Sequence, residues 1–207
     1  LPVPRLYAIA DLDTLGAGSL PTAVAAMAAA GVRWIQLRAK GASGAATYAL
    51  AEACGRVLAG GDAALWIDDR VDVAALLPAA GVQLGQADLP PAAARPLLPA
   101  AALVGASTHD AAQVTAAAAD EAVDLVAIGP VFATRSKQAP AAVVGLEGVR
   151  AARRLTSKPL VAIGGIDETN LGAVLAAGAD AVAVLSAACR GNVIQRCREL
   201  LAAVAAA

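Results

Sequence analysis

Histidine and lysine are scarce in this 207-residue chain: one His, at position 109, and three Lys, at 40, 137 and 158. Aromatic side chains supply 2% of the residues and charged ones 16%. With 16 basic residues against 17 acidic ones, no field of one sign exists to draw in nucleic acid or a membrane surface. The three cysteines, Cys54, Cys189 and Cys197, are odd in number and unrelated in spacing, which argues against a disulfide framework or a metal knuckle. No stretch of about 18 apolar residues runs free of charge, Gly or Pro, so no membrane span is expected. The opening Leu1-Pro2-Val3 has no basic segment leading into an apolar core, which predicts no signal peptide and a soluble, cytoplasmic protein. Disorder is excluded in turn, because 58% of the residues are hydrophobic and alanine alone supplies more than a quarter. The length predicts a single domain over residues 1–207.

What is present is a repeated alternation. Short runs rich in Val, Ile and Leu predict eight strands: Leu6–Ala10, Trp34–Arg38, Leu65–Asp68, Val82–Leu84, Leu103–Ala106, Leu125–Ile128, Leu160–Ile163 and Ala181–Leu185. They are brief and lack clean apolar–polar alternation, as suits strands buried on both faces of a parallel sheet. Between them, helix formers fill roughly 20–30, 42–59, 71–77, 91–99, 110–121, 145–156, 168–177 and 189–206. Ser19 or Pro21, Asp110 and Asp167 read as helix starts. Ala-Ala-Gly at 29–31, 79–81 and 176–178 reads as a helix closed by a C-terminal glycine. Eight β-α units in so short a chain predict an α/β fold, a (β/α)₈ TIM barrel near its minimum size. An open doubly wound sheet also alternates strands and helices, but eight units fit it poorly and the first strand lacks a Gly-rich phosphate turn.

Barrel active sites form at the C-terminal ends of the strands. The polar residues of this chain collect there. Strand 1 runs into Asp11, strand 2 into Gln36, Arg38 and Lys40, strand 3 into Asp68, Asp69 and Arg70, and strand 4 into Asp88. Strand 5 runs into Ser107 and His109, strand 6 into Thr134, Ser136 and Lys137, strand 7 into Gly164 and Gly165, and strand 8 into Leu185 and Ser186. Lys158 precedes strand 7 and belongs on the opposite, stability face.

Arg38, Lys40 and Lys137 can form a cationic clamp, with hydroxyl donors from Ser107, Thr134 and Ser136, while Gly164 and Gly165 offer bare backbone N–H groups to a phosphate. Asp69 and Asp88 beside such a clamp make sense if a divalent cation bridges them to a diphosphate, as Mg²⁺ is held by carboxylates plus phosphate oxygens. Simpler readings remain open at this point: Asp69 as an ion-pair partner of Arg70 or a helix cap, Lys40 and Lys137 as solvated loop cations. Two phosphate-reading regions imply two small phosphorylated ligands, and a diphosphate held by metal and lysine is a leaving group. The reaction indicated is displacement of pyrophosphate to join two small molecules.

At these residues the sequence resembles the thiamine phosphate synthase family over nearly its whole length. The carrying motifs are Leu6-Tyr7-Ala8-Ile9-Ala10-Asp11, Gln36-Leu37-Arg38-Ala39-Lys40, Asp69-Arg70-Val71-Asp72, Gly85-Gln86-Ala87-Asp88-Leu89, Gly105-Ala106-Ser107-Thr108-His109, residues 129–137, Ala162-Ile163-Gly164-Gly165-Ile166 and Ala183-Val184-Leu185-Ser186. The resemblance implies an enzyme that condenses hydroxymethylpyrimidine diphosphate with thiazole phosphate, or its carboxylate, releasing pyrophosphate. It implies that Gln36, Arg38, Lys40, Ser107 and Lys137 hold the diphosphate substrate and that Asp69 and Asp88 ligate Mg²⁺. Thr134, Ser136, Gly165, Leu185 and Ser186 would line the thiazole phosphate site.

Three positions depart from the family pattern: Asp68 stands where Asn is usual, Gln83 where His is usual, and, more mildly because the hydroxyl is kept, Ser136 where Thr is usual. A carboxylate at 68 would repel a diphosphate unless paired with Arg70, protonated or drawn to the metal. These departures keep two alternatives in view, a thiazole tautomerase using His109 for proton transfer and a non-catalytic thiamine-phosphate-binding sensor. The alanine-rich C-terminal helix could pack against a copy of itself in a homo-oligomer.

Overall fold

The structure, a computed structural model, describes residues 3–134 and 141–207; Ser136 and Lys137 lie outside them. Eight parallel strands close into a barrel in chain order: β1 (Leu6–Asp11), β2 (Trp34–Arg38), β3 (Ala64–Asp68), β4 (Gly81–Leu84), β5 (Leu103–Thr108), β6 (Leu125–Ile128), β7 (Leu160–Ile163) and β8 (Ala181–Val184). Closure is direct, with Leu6, Tyr7 and Ala8 of β1 beside Val182, Ala183 and Val184 of β8. That pairing rules out the open sheet.

The outer layer comprises α1 (Leu12–Leu15), α2 (Leu20–Ala30), α3 (Gly44–Leu58), α4 (Val71–Leu76), α5 (Pro91–Ala94), α6 (Ala111–Ala119), α7 (Gly145–Leu155), α8 (Leu171–Ala176), α9 (Ser186–Cys189) and α10 (Val193–Ala206). At α3 and α6 the short polar side chain before the run of helix formers caps the helix. Asp110 accepts from Gln113 N at 2.9 Å, and Ser43 from Ala46 N at 3.2 Å. Lys158 donates to Ala117 O at 3.1 Å and to Asp120 O, satisfying carbonyls at the end of α6, a stability role away from the cavity.

Some expected boundaries moved. Ser19 makes no side-chain cap bond. Asp167 closes a turn onto Thr169 instead of starting a helix, and α8 begins at Leu171. The expected 91–99 helix is a single turn followed by a 3₁₀ turn over Arg95–Leu97, with Pro96 interrupting the donor series. The expected 189–206 helix starts only at Val193 as α10; Cys189 instead ends the short α9, and Gly191, with φ 65°, lies between the two. Gly81 is not a helix end at all: α4 stops at Leu76, and Gly81 is the first residue of β4. A Cβ there would lie 2.6 Å from Leu103 O and 2.7 Å from the Trp66 ring, so glycine stands there for space.

Parity along each strand separates two cores. Leu6, Ala8 and Ala10 of β1, Ile35 and Leu37 of β2, and Val182 and Val184 of β8 join the layer between barrel and helices. Tyr7, Ile9, Trp34, Trp66, Leu125, Ala127, Val161, Ala181 and Ala183 fill the barrel interior. Three of the chain's five aromatic residues meet there, with Trp34 and Trp66 centroids 4.7 Å apart and Tyr7 at 5.7 and 5.5 Å from them. The scarce aromatic volume thus plugs the barrel, where burial of each large side chain is worth about 1.5–3 kcal/mol. Small alanines elsewhere let helices approach the strands. The buried face of α10 (Cys197, Leu200, Val204) packs on α2 and α8 within the same chain.

Candidate active site

The inward parity that builds the aromatic plug continues upward as a polar ring. Asp11, Arg38, Asp68, Gln83 and Ser107 occupy inward positions at or near the C-terminal ends of the first five strands. Above the plug lies a cavity of about 420 Å³. Its floor and walls are apolar, from Ile9, Ala127, Val161, Ile163 and Ala183. One end carries Arg38, Lys40, Asp68, Asp69, Asp88 and Ser107; the other is formed by Thr134, Gly164, Gly165, Leu185 and Ser186. Gln36 and His109 also line it. The fold therefore brings together every candidate residue that it describes.

Arg38 is held between two carboxylates, with Nη1 2.5 Å from Asp11 Oδ1 and Nε 3.8 Å from Asp68 Oδ2. Asp11 also accepts from Thr14 N at 3.1 Å and Thr14 Oγ1 at 2.8 Å, so one buried carboxylate caps α1 and anchors the guanidinium. Lys40 Nζ bonds Asp69 and lies 3.8 Å from Asp68 Oδ2. Burial works against the Lys40 ammonium, but the Asp69 hydrogen bond and the charges of Asp68, Asp69 and Asp88 outweigh it and hold its pKa above the ordinary value.

Burial drives the Asp68 carboxyl up to about 7, with the Asp69 charge pushing the same way against Lys40 and Arg38. Arg70 is not its partner: that guanidinium faces Asp72, with Nε 2.8 Å from Oδ1. The same contact overturns the ion pair of Asp69 with Arg70, and Arg70, not Asp69, occupies the cap position of α4. Asp69 instead meets Lys40 and Asp88; burial raises its pKa, the Lys40 bond opposes, and the facing Asp88 raises it further, for a net increase. Its backbone adopts φ 59°, unusual for a residue with a side chain, which turns the carboxylate back over the barrel mouth.

Beneath this cluster, Gln36 Nε2 donates to Tyr7 OH at 3.0 Å. Burial, and then the charge of Asp68, keep the Tyr7 phenol well above its ordinary pKa, so it stays protonated. Gln83 Nε2 donates to Ser107 Oγ at 2.9 Å, whereas Gln83 Oε1 is buried with no partner among the described residues. His109 Nδ1 lies 2.5 Å from Gly129 O, which fixes the ring. Because a carbonyl oxygen only accepts, Nδ1 is the donor in that contact.

Tyr7 and Gln83 line the cavity, and Asp11, which its strand end places at the mouth, holds Arg38; the sequence alone assigns none of the three a binding or catalytic role. Tyr7 and Asp11 could have been found by counting inward from Ile9 in steps of two. Gln83 carries the same parity as Ser107 on the next strand.

Pairs of carboxylates facing each other beside a lysine, above a closed apolar floor at the C-terminal mouth of a (β/α)₈ barrel, define an enzyme of the barrel class. The family described as thiamine monophosphate synthase matches residues 6–188. A thiamine-phosphate synthase of Koribacter versatilis is 44% identical over 191 residues, covering 90% of this chain and 89% of its own. One from Albidiferax ferrireducens is 42% identical over 204 residues, covering 97% and 93%. Among solved structures, the thiamine phosphate pyrophosphorylase of Pyrococcus furiosus superposes with TM-score 0.86 at 32% identity, covering 98% of this chain and 96% of its own. The chain belongs to the thiamine monophosphate synthase family, and with it to the transferases.

Proposed function

We propose that this chain condenses hydroxymethylpyrimidine diphosphate with thiazole phosphate, or its carboxylate, to give thiamine phosphate and pyrophosphate. One observation carries the reading beyond family membership: a single cavity joins the cation–carboxylate cluster to the Gly164–Gly165 and Ser186 end across an apolar floor. That arrangement suits two phosphorylated substrates meeting end to end.

The donor set fits Mg²⁺. Among the described residues Asp68, Asp69 and Asp88 line one end of the cavity with Arg38 and Lys40, and Arg38 is already paired with Asp11, so the chain's own cations would meet only part of an incoming diphosphate's charge. Asp69 faces Asp88, whose charge pushes the Asp69 pKa up, and a hard divalent cation between the two carboxylates would relieve that repulsion. Mg²⁺, when bound, supplies charge neutralisation on the departing diphosphate.

Arg38 and Lys40, joined in this reading by Lys137, bind the diphosphate oxygens and stabilise the charge that grows as the C–O bond breaks with its electron pair going to the diphosphate. Gln36 and Ser107 orient the pyrimidine diphosphate, and Asp68 shapes the same end. Ile9, Ala127, Val161, Ile163 and Ala183 exclude water, which would otherwise capture the pyrimidine cation. Thr134, Ser136, Gly164, Gly165, Leu185 and Ser186 hold the thiazole phosphate so that its ring nitrogen supplies the electron pair of the new C–N bond. The reading needs only one domain, residues 1–207, and soluble substrates; no helix among the described residues is long and apolar enough to cross a membrane.

The test is pyrophosphate release by the purified chain with Mg²⁺. Release is expected only with both substrates present. Thiazole isomerisation that survives EDTA and is lost in His109→Ala would replace this reading by a tautomerase. Tight thiamine phosphate binding without turnover would replace it by a sensor.

A further inference from the structure

We infer that Arg196, on α10 and outside the cavity, is a positioning residue that fixes the width of the phosphate end by tying the loop after β7 to the segment after β8. The inference rests on the reading that this end receives the singly phosphorylated substrate.

On its β6 side the loop after β7 is held by backbone hydrogen bonds. Val131 N donates to Ile163 O and Phe132 N to Gly164 O, both at 2.9 Å. Gly165, at φ 65°, sits so close that a Cβ would lie 2.7 Å from Ala133 O. On the β8 side the strand register ends at Ile163 and Ala183. Beyond that point a side chain spans the gap. Arg196 Nη2 donates to Glu168 Oε2 at 2.6 Å in the loop after β7, and its Nε to Ala187 O at 3.3 Å, next to Ser186. Nη1 bonds Glu199 one turn along α10, which holds the guanidinium plane in place.

The tie reaches the cavity through Asn170. Its Nδ2 donates to Gly165 O at 3.0 Å, and its Oδ1 accepts from Asp167 N at 3.0 Å. Residues 165–170 are thereby closed into one turn that contains Glu168. Two facts separate this role from ligand binding. Arg196 already faces two carboxylates, so it offers little field to a phosphate. Its side chain is 28% exposed, so the ion pair itself contributes little stability and its effect is geometric. A planar fork with several donors can serve Glu168 and Ala187 O together; a lysine ammonium at the same place cannot span both.

The experiment is steady-state kinetics of pyrophosphate release for Arg196→Ala, Arg196→Lys and Glu168→Gln, varying each substrate with the other saturating. We expect KM for the thiazole phosphate to rise about three- to tenfold in Arg196→Ala, with KM for the pyrimidine diphosphate and kcat within about twofold. Arg196→Lys should fail to rescue, and Glu168→Gln should show part of the same selective rise. Equal movement of both KM values, no movement of either, or full rescue by lysine overturns the inference. If wild type shows no turnover, the functional reading fails. The tie is then judged by calorimetric binding of inorganic phosphate, which Arg196→Ala must weaken; unchanged or undetectable binding overturns it.

Discussion

Gln83 donates its amide N–H to the Ser107 hydroxyl at 2.9 Å, and that bond directs the hydroxyl's own proton elsewhere. With one lone pair of Oγ occupied, Ser107 is left to donate into the cavity, which suits an anionic ligand. Gly105 makes the contact feasible, since a Cβ there would fall 2.1 Å from Gln83 Oε1. Replacing Gln83 by Met should therefore lower kcat/KM about three- to tenfold, and Gly105→Ala should do the same by displacing the amide. A double-mutant cycle of Gln83→Met with Ser107→Ala should give a coupling of about 1 kcal/mol. Strict additivity would show that the amide does not act through the serine.

Removing divalent metal should abolish pyrophosphate release, with Mg²⁺ restoring it. Asp88→Asn should raise the Mg²⁺ concentration needed for half-maximal rate about tenfold or more, because one of two facing carboxylates loses its charge. The Asp88 side chain also accepts from Gly85 N at 2.7 Å, a bond the asparagine oxygen can retain, so the loop should survive the change. A variant with wild-type Mg²⁺ dependence would remove Asp88 from the metal site.

Stability should be most sensitive where the aromatic plug meets the sheet. Gly81→Ala places a methyl group 2.6 Å from a backbone oxygen and 2.7 Å from the Trp66 ring, neither of which can move far inside a closed barrel. Chemical denaturation should show a loss of about 1–3 kcal/mol. Gly55→Ala, on α3 with nothing within 4 Å of the added carbon, is the matched control and should be neutral or stabilising.

The contrast between Gly81 and Gly31 marks where sequence reading succeeds and where it stops. Both follow Ala-Ala and precede Val, yet Gly31 ends α2 at φ 104° while Gly81 opens β4. Local pattern cannot separate a glycine needed for backbone angle from one needed for space, because the second requirement comes from Trp66 on a neighbouring strand. The strands themselves were legible: short β-rich runs bounded by helix formers leave little choice of register once eight must close. The candidate site was legible for the same reason, since the polar residues immediately after each run must gather at one mouth. Partners were not. Whether Arg70 would face Asp68, Asp69 or Asp72 depends on the loop geometry after β3, and nothing in the spacing determines it. The relay through Arg196 was invisible as well, because it joins positions 28 residues apart through a helix end.

The three thiols supply a last test, which also reports on the Ser186 end of the cavity. Burial pushes Cys54 and Cys197 up to about 12, and Cys189 up to about 11. Raised values mean that the thiolate, the reactive form, is depleted at pH 8 relative to an unfolded cysteine near 8.5. Native protein at pH 8 should therefore resist a thiol reagent, and all three groups should react after denaturation. Cys189 should yield first under native conditions. It ends α9, the turn that Ser186 begins, and its Sγ donates to Ile9 O at 3.1 Å, so opening of the segment after β8 exposes it without unfolding the barrel. Thiamine phosphate bound across that segment should slow labelling of Cys189 while leaving Cys54, on the buried face of α3, unaffected. Mass spectrometry of the labelled peptides reads the order directly, and equal protection of both thiols would place ligand binding on global stability instead of on the β8 end.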